Sequence, residues 1–181
     1  VEILKKQIKF FRVKNIIIHD RQKYLEHRDF FKKKKINLYQ CVNDYKKKNK
    51  KKLDYVMSSI VGLNGLEPTL DIINCTKRIA IANKESIICG WNLIVKELKK
   101  NNTKFIPIDS EHFSIFELIK NKNSNKIKKI YITASGGPFL NTNVSKLNKF
   151  IPKNAVKHPT WKMGKKISID SSTLINKVFE L

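Results

Sequence analysis

Apolar residues fall in short runs separated by longer amphipathic stretches, a rhythm that predicts strands alternating with helices. Val13 to His19 (VKNIIIH) reads as a buried strand, and the polar stretch from Arg21 to Lys33 as a helix. Ile36 to Val42 is a second short strand, and the lysine-rich segment up to Lys52 a surface connection. Asp54 to Gly62 (DYVMSSIVG) is a strand running into glycine. Gly65-Leu66-Glu67-Pro68 then opens a helix to about Asn74, with proline in the first turn, where its missing N–H is tolerated. Arg78 to Ala82 (RIAIA) is a strand, Glu85 to Lys100 a long amphipathic helix, and Lys104 to Ile108 the next strand. Such alternation builds βαβ units and a mostly parallel sheet, so the fold class is α/β.

Beyond Glu111 a short helix is expected to about Lys120, then a polar loop, then a strand over Ile127 to Thr133 (IKKIYIT) that exits into Ser135-Gly136-Gly137-Pro138. Lys157 to Gly164 has no periodicity, yet it carries His158, Trp161 and Met163. Such a segment is either tucked into the core or a lid over a site. Ile167-Ser168-Ile169 leads through Asp170-Ser171-Ser172 into a last helix, with Asp170 or Ser171 as N-cap. Thr173, Asn176, Lys177 and Glu180 make its polar face, and Leu174, Ile175, Val178 and Leu181 the face expected to be buried.

In open parallel sheets ligands bind beyond the carboxyl ends of the strands. The polar oddities lie there: Gly62 to Gly65, Asn83-Lys84-Glu85 and Asp109-Ser110-Glu111. In an extended chain Asp109 and Glu111 would share a face, where like charges repel unless a proton or cation separates them. With His112 next to them they form a candidate site for a hard metal; a plain polar turn is the alternative. Ser135 with its glycine pair suits an anion such as phosphate, or is simply a tight turn. Two hydroxyls with Asn176 and Lys177 near a helix start could hold a phosphate, and Glu180 could reach a metal; a surface helix is the alternative. Neither a GxGxxG loop nor a Walker loop occurs.

Composition narrows the classes. The 181 residues are 41% hydrophobic, enough for a core. No apolar run approaches about 18 residues, and the lysine-dotted start does not resemble a signal peptide. Cys41, Cys75 and Cys89 have no paired spacing and read as reduced, mostly buried thiols of a cytoplasmic protein. The net charge of +23 invites a nucleic-acid reading. Only Arg12, Arg21, Arg28 and Arg78 are arginines, however, and arginine is the usual reader of phosphates and bases. The lysine runs therefore read as solvated surface with salt-sensitive, nonspecific affinity for polyanions. Val1 in place of Met, and an end at Leu181 inside a helical pattern, give the expectation of a piece of a longer protein.

Five stretches taken in order are similar to the 1-deoxy-D-xylulose 5-phosphate reductoisomerase family, NADPH-dependent enzymes of the non-mevalonate isoprenoid pathway. They are Ala82-Asn83-Lys84-Glu85-Ser86, Pro107 through His112, Ser135 through Phe139, His158 through Gly164, and Asp170 through Thr173 continuing to Asn176, Lys177 and Glu180. The resemblance implies a Rossmann-like NADPH-binding domain over 1–105, lacking its Gly-rich loop, and a catalytic domain over 106–181. It implies Mg or Mn (Co also) on Asp109, Glu111 and Glu180, and a phosphate pocket of Ser135, Ser171, Asn176 and Lys177. Lys84, Ser110 and Glu111 would meet the substrate's carbonyl and hydroxyl end. His158, Trp161 and Met163 would close over the substrate, with Lys84, Glu111 and His158 catalytic; Asn83, Glu85 and Gly164 would contact NADPH. The substrate is a small sugar phosphate, with no membrane or specific nucleic-acid partner, and the full-length protein a homodimer.

Thr160 stands where the family commonly has Asn, Leu174-Ile175 where it has two methionines, and Val178-Phe179 where Gly-Leu is usual. The helix changes are expected to be repacking of a buried face. Without the Gly-rich loop and the part beyond Glu180, this stretch alone is expected to be inactive or nearly so. The rival readings are a nucleic-acid-binding protein and a noncatalytic relative; the intact Lys84, Asp109, Glu111, His158 and Glu180 speak against the second.

Overall fold

The computed structural model describes residues 1–159, 162 and 164–181. They form two compact units, Val1–Phe105 and Ile106–Leu181.

The first unit alternates strand and helix. Strands β1 (Asn15–Ile17) and β2 (Asn37–Tyr39) pair in parallel, Ile16 opposite Leu38. Between them runs α2 (Arg21–Lys33), started by Asp20, whose carboxylate accepts the Lys23 N–H at 2.8 Å. Ile16, Ile18 and Phe31 form a small core, lined by Leu4 of α1 (Glu2–Gln7) and by Ile8. A second sheet has the order β3 (Val56–Ser58), β4 (Arg78–Ile81), β5 (Lys104–Pro107), with β3 and β4 parallel. Helices α4 (Leu66–Ile73) and α5 (Lys84–Asn101) connect these strands. In α5 the residues Ile87, Ile94 and Leu98 recur at helical spacing and pack on Ile73, Ile79 and Ile81. Each such isoleucine or leucine contributes about 2 kcal/mol by leaving water.

The exits of β3 and β4 are tied together by Asn83, the N-cap of α5. Its side-chain oxygen accepts the Ser86 N–H at 2.9 Å, and its amide donates to the carbonyls of Gly62 (2.6 Å) and Ile60. A Cβ at Gly65 would sit 2.4 Å from both the Ile60 oxygen and the Asn83 amide nitrogen. No side chain fits that joint.

The structure departs from the sequence reading in several places. Part of the lysine-rich connection is a helix, α3 (Val42–Lys48), whose last-turn lysines complement its carboxyl end. Cys89 is exposed on α5, Cys41 is half-buried and Cys75 buried; all three are free. Asp109 does not continue a strand. It caps α6 (Ser110–Ile119), because its carboxylate takes the His112 N–H. Ile127 to Thr133 forms no strand: a strand needs a neighbour for its backbone groups, and none pairs with it among the described residues.

After α7 (Pro152–Ala155), the expected last helix is two. Helix α8 (Lys165–Ser172) takes in both Ile167–Ile169 and the expected N-caps Asp170 and Ser171, and α9 (Ile175–Glu180) follows. They meet at Leu174, held in the left-handed region at φ 58°. The faces of α9 are also reversed. Glu180 is only 6% exposed, while Leu174 is 46% and Val178 61% exposed and Ile175 is half-buried. The substitutions at Leu174 and Val178 therefore do not repack a core of this unit. Among the described residues no helix is long and apolar enough to cross a membrane.

Gly65→Ala is expected to destabilise the first unit by about 2 kcal/mol, since backbone must give way. Urea unfolding followed by circular dichroism checks this; an unchanged midpoint would mean that the joint is not close-packed.

Candidate metal centre

Two short segments of the second unit converge on one spot. The start of α6 supplies Asp109 as N-cap and Glu111 in the first turn, where carboxylates are favoured by the unpaired N–H groups. The end of α9 supplies Glu180. One oxygen from each of Asp109, Glu111 and Glu180 lies within 4.8 Å of the others. Oxygens on one small divalent ion, each about 2.1 Å from it, are about 3 to 4 Å apart, so modest side-chain shifts would close this trio. The donors are all oxygen and one is buried, a set that fits Mg or Mn better than a soft metal.

Lys177, one turn before Glu180, donates from its ammonium to Glu180 Oε2 at 2.6 Å and to Glu111 Oε1. Ser110 Oγ donates to the other Glu111 oxygen at 2.7 Å. His112 bridges the halves of the cluster: Nδ1 is 3.1 Å from Asp109 Oδ1, and Nε2 is 3.0 Å from the Glu180 carbonyl oxygen. Both neighbours are acceptors, so only the doubly protonated ring donates to both at once. Burial pushes the Glu111 carboxyl up, but the hydrogen bonds from Lys177 and Ser110 outweigh it and hold the group below its ordinary value. For Lys177, burial pulls the ammonium down, and the bonds to Glu111 and Glu180 more than restore it, leaving it raised.

A second group lies around the glycine turn. Ser135 Oγ is 3.1 Å from Ser171 Oγ and 3.1 Å from His158 Nε2. Gly136 and Gly137 have φ of 79° and 63°, and a Cβ on Gly137 would lie 2.6 Å from the Ser171 carbonyl oxygen. The turn thus rests directly on the end of α8, which brings Ser135, Ser171 and His158 together. Asn176 is half-buried on α9. Lys177, expected beside the two serines, is bonded to carboxylates instead. Gly164 caps α8 and is exposed. Asn83, Lys84 and Glu85 are in the first unit, at the start of α5, with the Asn83 side chain committed to its backbone partners. Thr160, Trp161 and Met163 lie outside the described residues.

Sequence reasoning missed the tie made by His112 and the pairing of Lys177. The i,i+3 spacing of Lys177 and Glu180 was a visible signal; the partner 66 residues away, Glu111, left none.

Glu111 is held below 4.5, so its share of stability is complete above that value and is lost as the pH falls through the lowered pKa. Lys177 is held above 10.5, so its share is complete below that value and is lost as the pH rises through the raised pKa. In metal-free buffer Glu111→Gln is expected to cost about 1–2 kcal/mol at pH 7, and much less at an acid pH below the lowered pKa. Urea unfolding at the two pH values measures both; an equal cost at each would disprove the ionic contribution.

Comparison with known proteins agrees on one family. A 1-deoxy-D-xylulose 5-phosphate reductoisomerase family model matches residues 1–90, and the model of that enzyme's C-terminal domain matches residues 105–181. Among curated relatives, the reductoisomerase of Pelagibacter ubique is 54% identical over 97% of this chain and 46% of its own length. That of Clostridium novyi is 45% identical over 91% and 43%. Among solved structures, the Zymomonas mobilis reductoisomerase in complex with NADPH superposes with a TM-score of 0.76 at 33% identity, over 92% of this chain and 43% of that one. A reductoisomerase in complex with NADPH, fosmidomycin and magnesium superposes at 0.78 with 32% identity, over 99% and 47%. The chain spans about half the length of the curated relatives it matches. With two family models covering most of its residues, the chain belongs to the 1-deoxy-D-xylulose 5-phosphate reductoisomerase family.

Proposed function

We propose that this chain is part of an enzyme that rearranges and reduces 1-deoxy-D-xylulose 5-phosphate to 2-C-methyl-D-erythritol 4-phosphate in non-mevalonate isoprenoid synthesis. The observation that carries the reading is the gathering of Asp109, Glu111 and Glu180 at one point. Relatives solved with NADPH and with magnesium support the cofactor and the metal. In this reading residues 1–105 belong to the NADPH-binding domain and 106–181 to the metal- and substrate-binding domain.

When bound, the divalent ion supplies Lewis acidity to the substrate's carbonyl, and NADPH supplies the hydride. Asp109, Glu111 and Glu180 would hold the ion. His112 sets the Asp109 carboxylate and the end of α9 in position. Ser135, Ser171 and Asn176, with Lys177, would bind the phosphate, and fosmidomycin, a phosphonate, occupies one of the relatives. Ser110 and Glu111 would meet the reacting hydroxyl and carbonyl end, together with Lys84. His158, hydrogen-bonded to Ser135, would set the phosphate end and, with Trp161 and Met163, exclude water from the reaction. Asn83, Glu85 and Gly164 are assigned to NADPH. With three free cysteines, we place the protein in the cytoplasm; the homodimer rests on the family resemblance alone.

In the full-length protein, NADPH oxidation is expected only with the ketose phosphate and Mg or Mn together. Glu111→Gln is expected to lower turnover on the order of 10³-fold with the circular dichroism spectrum unchanged. A variant with full activity would remove the metal assignment.

A further inference from the structure

Lys177 has two claims on a single ammonium. The reading above, on which this inference rests, gives it to the substrate phosphate with Ser135, Ser171 and Asn176. The structure places it on Glu180 Oε2 at 2.6 Å and on Glu111, two of the three carboxylates assigned to the divalent ion. The Lys177 side chain is 21% exposed and that of Glu180 only 2%, so the pairing is well shielded from solvent. Three carboxylates this close repel strongly unless positive charge sits among them. Until a metal arrives, Lys177 supplies part of it.

A divalent ion and an ammonium cannot use the same two carboxylates in the same way. Both Glu111 oxygens are already engaged, Oε1 by Lys177 and Oε2 by Ser110, and two cations a few ångströms apart in a half-buried site repel. Entry of the ion therefore expels the ammonium. The lysine stem is flexible, whereas α9 is held through the contact of His112 with the Glu180 carbonyl, 3.0 Å. The side chain can leave while the helix stays.

We propose that Lys177 is an internal counter-ion which the divalent metal displaces, and that the displaced ammonium completes the phosphate pocket. Metal and phosphate then bind cooperatively through one side chain. Each favours the position of Lys177 that the other needs, and the coupling is the same in both directions. The substrate phosphate, by holding Lys177 off the carboxylates, tightens the metal site at the moment the metal is required.

The test is Mn²⁺ binding to the full-length protein, read from the electron paramagnetic resonance signal of free Mn²⁺, with and without saturating inorganic phosphate. In the wild type, phosphate is expected to tighten Mn²⁺ binding on the order of tenfold. Lys177→Met is expected to bind Mn²⁺ on the order of tenfold more tightly without phosphate, and to lose the response to phosphate. Lys177→Gln, a milder change for a half-buried site, is expected to behave the same way. If both variants bind Mn²⁺ no more tightly than the wild type, or keep the full phosphate response, the exchange is wrong although the metal site stands. If the wild type binds no Mn²⁺, or Glu111→Gln binds it equally well, the metal assignment itself fails and the exchange goes with it.

Discussion

Three negative charges brought to one point are the constraint around which the second unit is arranged. The chain carries 38 basic residues and only 15 acidic ones, so carboxylates could easily have been left in solvent beside lysines. Instead Asp109, Glu111 and Glu180 converge, with Glu180 buried. Such a cluster persists only with cation charge inside it and with its members held from outside. Lys177 supplies the first, and Ser110 and His112 the second. The same demand explains the inverted helix: α9 turns toward the carboxylates because its polar face has partners there, and its apolar side chains take what is left.

The first unit meets a different problem, that of keeping strand exits in place when the strands are only three or four residues long. It does so with backbone contacts. Asn83 reaches from the start of α5 to carbonyls beyond the end of β3, and Gly65 leaves the room for it. A side-chain amide that caps a helix and holds a loop at once fixes the region where Lys84 and Glu85 begin α5. In a parallel sheet that is the end where ligands are met.

The two arrangements ask for different chemistry. The first unit offers a helix start tied to backbone carbonyls, while the second unit offers carboxylates, hydroxyls and an ammonium paired with two of those carboxylates. On α3 the last-turn lysines lie at the carboxyl end of the helix they sit on.

Much of the first unit could be read from residues alone. The runs around Ile16, Met57 and Ile79 became strands, and Arg21–Lys33 and the helix after Asn83 formed almost residue for residue, because their signals are local: apolar periodicity, an Asp or Asn cap, an Asn at the end. The acidic pair and the Ser-Gly-Gly turn were equally plain as motifs. Tertiary structure alone decided how these were used. An apolar run such as that of Ile127–Thr133 cannot become a strand without a neighbour, and no local pattern reveals whether one exists. Which face of α9 is buried depended on carboxylates 66 residues earlier rather than on its own apolar stripe. The partner of Lys177 was invisible for the same reason: electrostatic pairing acts through space, and sequence spacing records only the part of it that falls within a helical turn.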